Sequence, residues 1–273
     1  MEHNNVIMYS GGLDSFLTYK YLINNKDIKD TLSLLYFNLG ARCTSAEIEL
    51  FSTDSFKKHV TCDSFLISDA LNLGDLETES AYIPNRNILA AITVNSITGA
   101  DRIWIGGTLS DRVNDNNDHV CYQLSKLLSS MHNKDIKIDS PFYDQHKCDI
   151  VRNYIETNGF GHYNDKHEAQ ISLLESTFSC YNPLNTARIV NTFIDREVIQ
   201  IKTRECLCCP ACFRKCMSMY AAGIYIPMGD SNVSKKIIER YYREAKKEID
   251  CDCIMRPRYS ATINYVDRFL GTC

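Results

Sequence analysis

The stretch Val6-Ile7-Met8-Tyr9-Ser10-Gly11-Gly12-Leu13-Asp14-Ser15 decides how the rest of the chain is read. Val6 to Ser10 has the character of a short buried strand and Gly11-Gly12 breaks it. Leu13 to Asn24 then continues with Leu13, Phe16, Leu17 and Tyr21 at helical spacing. A strand, a glycine turn and a helix in that order form a seat for phosphate. Glycines admit the backbone to the anion, helix-start amides point at it, and the hydroxyls of Ser10 and Ser15 add donors. Asp14 repels phosphate unless a cation intervenes, so its carboxylate implies bound Mg2+. No lysine follows as in a Walker loop, which favours gripping a departing pyrophosphate over transferring the terminal phosphoryl group.

Outward from that bend, apolar strand candidates recur at 31–37, 64–68 and 102–105, separated by helical patterns at 44–60 and 87–97. Thr44-Ser45-Ala46-Glu47 reads as a capping box opening the first of these. This alternation predicts an α/β fold of Rossmann-like, doubly wound type, with a mainly parallel sheet covered on both faces. Ligands of such sheets bind beyond the carboxyl ends of the strands, where SGGLDS, FNLGAR, YIPNRN and GGTLSD fall. Further on, 143–150 opens another helix, 158–169 reads as a polar loop, and 234–249 is an amphipathic helix. The expected division is a nucleotide-binding domain over 1–170 and a zinc-binding, mainly helical region over 171–273.

Thirteen cysteines in 273 residues, an odd number without an export pattern, point to a metal site rather than a disulfide framework. Cys206-x2-Cys209-x2-Cys212, with Cys180 upstream, supplies the four thiolates of a closed tetrahedral zinc site, and Cys208 and Cys216 are rival ligands. Four thiolates leave no open position, so the metal is expected to be structural. The net charge of −4 disfavours a nucleic-acid client. No apolar run approaches the length of a membrane span, so a soluble, cytoplasmic protein is expected. Arg86, Lys147 and Asp111 are ordinary surface charges when considered alone, and gain weight only from where they fall.

Taken in order, SGGLDS at 10–15, FNLGAR at 37–42 with a helical glutamate after it, IPNRN at 83–87, the IGG stretch with Asp111, SPF and Lys147, and TFSCY followed by CxxCPAC resemble the 7-cyano-7-deazaguanine synthases. These are the QueC family of PP-loop ATP-pyrophosphatases, of adenine nucleotide alpha hydrolase-like fold. The resemblance implies that ATP adenylates the carboxylate of 7-carboxy-7-deazaguanine, that ammonia displaces AMP to give an amide, and that a second ATP drives dehydration to the nitrile, preQ0. It implies that Ser10, Gly11, Gly12, Leu13, Asp14, Ser15, Gly106 and Gly107 bind ATP and Mg2+. Asp14, Arg86 and Lys147 would serve catalysis, and Cys180, Cys206, Cys209 and Cys212 would hold Zn2+. It also implies a homodimer acting on a small deazaguanine.

The chain departs from the family at three places: Leu39-Gly40-Ala41 where Tyr-Gly-Gln is usual, Asp111 to Asp118 after the glycine pair, and 25 residues between Cys180 and Cys206, enough for an inserted loop or strand. Three other readings use the same motifs: QueC-like adenylation of another deazapurine or a macromolecule, sulfur transfer to tRNA through Cys208 or Cys209, and a noncatalytic zinc-stapled nucleotide-binding module.

Overall fold

A computed structural model describes residues 3–24, 28, 31–62, 64–109, 114–195, 197–251 and 254–271. Asp111 to Val113, Cys253 and Cys273, all singled out in the sequence, lie outside the described residues. The chain divides into two compact units, 1–144 and 145–273.

In the first unit, β1 (Asn5–Met8), β2 (Leu32–Phe37), β3 (Phe65–Ser68), β4 (Arg102–Trp104) and β5 (Lys137–Asp139) form one sheet in the order β3-β2-β1-β4-β5. Every pairing is parallel. Parallel strands need crossovers, and the intervening segments supply them as α1 (Leu13–Leu22), α2 (Thr44–Ser52), α3 (Asp54–His59), α4 (Arg86–Thr98) and α5 (Asp118–His132). The register sends alternate side chains to opposite faces. Val6, Leu35, Phe37, Ile103, Ile105 and Ile138 meet Ala91 and Val94 of α4 and Leu124 and Leu128 of α5 in one apolar cluster. On the other face Tyr9 packs edge-on against Phe56 and Phe65, and Phe51 stacks edge-on with Tyr36 at 4.9 Å. Burial on both faces is why the central strands β1 and β2 read as continuous apolar runs.

The single helix expected over 44–60 is two. Thr53 leaves helical geometry and its side chain accepts from the Phe56 amide, capping α3 at the point where α2 stops. The capping box at Thr44 does not form, because the N-cap is Cys43 and no side chain caps that end.

The second unit holds α6 (Lys147–Glu156), α7 (Lys166–Ser176), the hairpin β6 (Arg188–Ile194) and β7 (Glu197–Thr203), α8 (Pro210–Tyr220), β8 (Ile224–Tyr225), α9 (Asn232–Glu248) and α10 (Arg256–Leu270). β6 lies between β7 and β8, antiparallel to both. Helix α6 and the first turn of α7, which precede residue 171, thus belong to the same compact unit as the cysteines. Part of the loop expected over 158–169 is the start of α7: Asp165 accepts from the Glu168 amide at 2.9 Å, and the Glu168 carboxylate accepts from the Asn164 amide at 3.1 Å. In the core Phe213 of α8 stacks on Tyr241 of α9 at 4.6 Å, and Tyr265 of α10 donates to the Ile226 carbonyl. Among the described residues no helix is long and apolar enough to cross a membrane.

Ile103 sits in the middle of β4, 1% exposed, whereas Ile189 on β6 is 66% exposed. Ile103→Ala should lower unfolding stability by about 2–5 kcal/mol, and Ile189→Ala by no more than about 0.5 kcal/mol, as read from urea denaturation of each variant.

Candidate functional site

β1 is flanked by β2 on one side and β4 on the other, so the strand order reverses there and a crevice opens beyond its carboxyl end. Residues 10–15 occupy that position. Gly11 has φ +72°, and a Cβ there would come within 2.8 Å of the Phe51 ring, so only glycine holds this bend. Gly12 is the N-cap of α1 and offers no side chain to cap it. The hydroxyls of Ser10 and Ser15 meet at 3.2 Å, and Ser15 Oγ donates to the Gly12 carbonyl at 3.0 Å. Asp14 stands in the first turn of α1, half-buried.

From the neighbouring strand end, Gly106 presses its backbone onto this turn. A Cβ at Gly106 would fall 2.8 Å from the Ser15 nitrogen and 2.9 Å from the Asp14 carbonyl carbon, leaving no room for any side chain. Gly107 follows, its carbonyl accepting from Ser140 Oγ at 2.6 Å. Two backbone segments held this close, with a helix start and two hydroxyls beside them, fit the phosphates of a nucleotide. An acidic side chain in the same turn fits the divalent cation that accompanies them.

Glu47, which the sequence presents only as part of a capping box, belongs to the surroundings of this bend. It lies on α2 one turn before Leu50 and Phe51, the two residues against the Gly11 bend, and so on the helix face turned toward the bend. Tyr36 at the end of β2 donates to Glu47 Oε2 at 2.8 Å. Burial pushes the Glu47 carboxyl up; hydrogen bonds from Tyr36 and Cys43, and the Arg86 guanidinium, work against that. Arg86 is therefore near Glu47, as the first residue of α4 behind the left-handed Asn85. The carboxylate of Asp115, buried in the segment after the glycine pair, takes the amide and the side-chain nitrogen of Asn87 at 3.0 and 3.1 Å and fixes the same helix start. Asn116, next to it, accepts from Tyr143, whose hydroxyl also lies 3.0 Å from Cys121 Sγ. Lys147, by contrast, is in the second unit as the first residue of α6.

The second unit carries its own centre. The sulfurs of Cys180, Cys206, Cys209 and Cys212 all lie within 4.8 Å of one another, and all four residues are buried. Cys206 and Cys212 are 3.9 Å apart, against about 3.8 Å for two thiolates on one tetrahedral zinc. The rival ligands Cys208 and Cys216 are not members of the cluster. Leu207 at φ +52° turns the chain so that Cys206 and Cys209 aim at one point, and Cys209 caps α8, accepting from the Cys212 amide. The amides of Asn182 and Cys206 donate to Cys180 Sγ, both at 3.3 Å, and that of Cys208 to Cys206 Sγ.

Hydrogen bonding from Cys180 pulls the Cys206 thiol down to about 7, and Cys180, Cys206 and Cys212 together pull Cys209 down. The same contacts push Cys180 and Cys212 up, so the four cannot all ionise beside one another. A divalent cation removes that conflict, and the donor set fits Zn2+ with no open position for catalysis. The 25 residues between Cys180 and Cys206 are the β6–β7 hairpin and its approach, closed at the neck by Leu184 and Arg204, which exchange bonds of 2.8 and 2.7 Å.

Two outcomes are expected. Elemental analysis of the purified chain should give one tightly held zinc, and Cys209→Ser should lose it to a chelator. Because the Glu47 pKa is raised in the folded chain, folding binds a proton above the ordinary carboxyl value of 4.5 and stability falls as pH rises through the folded pKa. Glu47→Gln removes that loss. Its gain over the parent should be absent at pH 4 and grow toward neutral pH in urea melts.

A family model described as "Queuosine biosynthesis protein QueC" matches residues 4–222. The chain is also similar to a 7-cyano-7-deazaguanine synthase from Methanocaldococcus jannaschii, 27% identical over 210 residues that cover 65% of this chain and 84% of the archaeal one.

Proposed function

We propose that this chain, which belongs to the QueC family of queuosine biosynthesis proteins, makes 7-cyano-7-deazaguanine from 7-carboxy-7-deazaguanine, ammonia and ATP. The observation that carries the reading is the bend at 10–15, at the reversal of strand order, with Gly11 and Gly106 both lacking space for a Cβ. A free carboxylate resists amination because oxide is a poor leaving group. Attack of that carboxylate on the α-phosphorus of ATP breaks the bond to pyrophosphate and makes a mixed anhydride. Ammonia then adds to the acyl carbon, AMP departs, and the amide forms with loss of a proton. The amide oxygen then attacks the α-phosphorus of a second ATP, releasing pyrophosphate, and departure of AMP with that oxygen, together with loss of the two nitrogen protons, leaves the nitrile.

Each residue has a part in this. Ser10, Gly11, Gly12, Leu13 and Ser15 hold the leaving pyrophosphate through amides and hydroxyls, and Gly106 and Gly107 form the facing wall. Asp14 would hold Mg2+, which supplies charge neutralisation between the phosphates. Arg86 balances charge growing at the α-phosphorus from the start of α4. Cys180, Cys206, Cys209 and Cys212 would hold Zn2+, which would serve to keep the second unit folded.

Sulfur transfer to tRNA would need a free thiol near the reacting carbon. Cys209 belongs to the tetrad, and burial and the neighbouring Cys206 push the half-buried Cys208 thiol up to about 11, away from the thiolate that such chemistry uses.

Incubation with ATP, ammonia and the carboxy-deazaguanine, followed by mass analysis, separates the outcomes: a nitrile with two AMP per turnover supports the reading, an amide alone indicates a shortened reaction, and no AMP sinks it. Asp14→Asn should lower turnover by about 100-fold or more while leaving the zinc content at one per chain.

A further inference from the structure

Beside the four cysteines lies a second polar group that metal binding by itself does not require. Glu205 and Lys215 form an ion pair at 3.0 Å with side chains only 2% and 4% exposed. Burying two charges is costly and gains little stability over an apolar pair of similar volume, so its position calls for another explanation.

That position is informative. Glu205 immediately precedes Cys206, and its Oε1 accepts from the amide of Ser179, which immediately precedes Cys180, at 2.7 Å. Lys215 lies on α8 three residues beyond Cys212 and donates to that same Oε1 and, at 2.7 Å, to the carbonyl of Thr177. One carboxylate oxygen and one ammonium thus tie together the three segments that carry all four sulfurs: 177–180, 205–206, and α8 with its N-cap Cys209. The hairpin makes such a tie necessary. It places 25 residues between the first and second cysteine, and a chain that long does not by itself hold its ends at ligand distance.

We propose that Glu205 and Lys215 are positioning residues for the metal centre, setting the Cys180 arm against the Cys206–Cys212 arm before and during metal binding. Neither touches the metal. They act through the backbone on either side of the ligands, as hydrogen-bonded partners around metal ligands do elsewhere, where their loss costs about 10- to 100-fold in affinity. The two residues work as a unit, since removing either leaves the other buried without its charge partner.

This rests on the cysteines holding zinc in the parent protein, so that is measured first, as zinc per chain. The test is the rate at which a chromophoric chelator strips zinc from full-length parent, Glu205→Ala, Lys215→Met, the double variant and Lys215→Arg. The visible spectrum of each cobalt-loaded form reports the tetrahedral geometry. Faster release of about 10-fold or more in both single variants, no further loss in the double variant, and retention in Lys215→Arg, with a weakened cobalt spectrum in the first two, is the expected pattern. Release within twofold of the parent, with an unchanged cobalt spectrum, overturns the proposal, as does a double variant whose effect is the sum of the singles. If Glu205→Ala or Lys215→Met does not fold, Glu205→Gln and Lys215→Arg decide the matter. Glu205→Gln keeps the oxygen that the Ser179 amide needs but lacks the charge that holds Lys215, so it should release zinc faster than Lys215→Arg, and equal rates would count against the pair. Absence of zinc from the parent would instead remove the metal reading itself and leave nothing for the pair to position.

Discussion

The first unit is organised around a place where side chains are forbidden. Gly11 bends through positive φ beneath the Phe51 ring, and Gly106 lies against the backbone of Asp14 and Ser15. Two strands of a parallel sheet are about 4.8 Å apart, and their continuations can stay that close beyond the sheet only if no Cβ intervenes. A methyl group at either position would push the β4 continuation away from the α1 start or swing α2 off the bend. Because α2 carries Glu47 and α4 carries Arg86, the same displacement would move the charged groups around the crevice. Steric exclusion at two glycines therefore sets where every other group in the crevice stands.

The second unit solves a different problem. Four thiols packed within 4.8 Å resist common ionisation, and the opposing pulls on Cys209 and Cys212 express that conflict. A cation converts mutual repulsion into a four-way staple, which matters in a unit whose hairpin exposes much of its surface: every residue of β7 is at least partly exposed. Phe213, stacked on Tyr241 and edge-on to Tyr265, fastens α8 to α9 and α10. Metal and aromatic core thus grip α8 at its amino end and along its length.

Much of this was legible in the residues, and the failures have physical causes. The strands at 5–8 and 32–37 were readable because burial on both faces demands uninterrupted apolar runs, and the edge strand at 65–68 because it is apolar although Leu66 and Ile67 are exposed. The cysteine tetrad was readable because two-residue spacers have few other uses. The start of α7 was missed, although Asp165 and Glu168 carry the reciprocal capping pattern, because its first turn is polar and mimics a loop. Thr44 and Glu47 carry a similar pattern without using it, since Glu47 is drawn inward to Tyr36 and is lost to the cap. The hairpin was foreseen only as an insertion. Its alternation is weak because β7 is an edge strand with no fully buried face. The Glu205–Lys215 pair left no local signal at all, as its partners come from segments 26 to 38 residues away.

The segment after the glycine pair is joined through Asp115 to the start of the helix that begins at Arg86. Asp115 falls in the stretch that replaces the family's usual loop, yet both of its oxygens go to Asn87, the neighbour of Arg86. Asn116 faces the other way, to Tyr143 and so to the wall behind Gly107. On the reading proposed above, a change of acceptor would require changes in this stretch, while the stretch must still present a carboxylate to Asn87 or the guanidinium beside it loses its footing. On that same reading, acceptor specificity should reside in the side chains around Asp115 rather than in Asp115 itself, whose two bonds are already committed to holding the start of the helix that begins at Arg86.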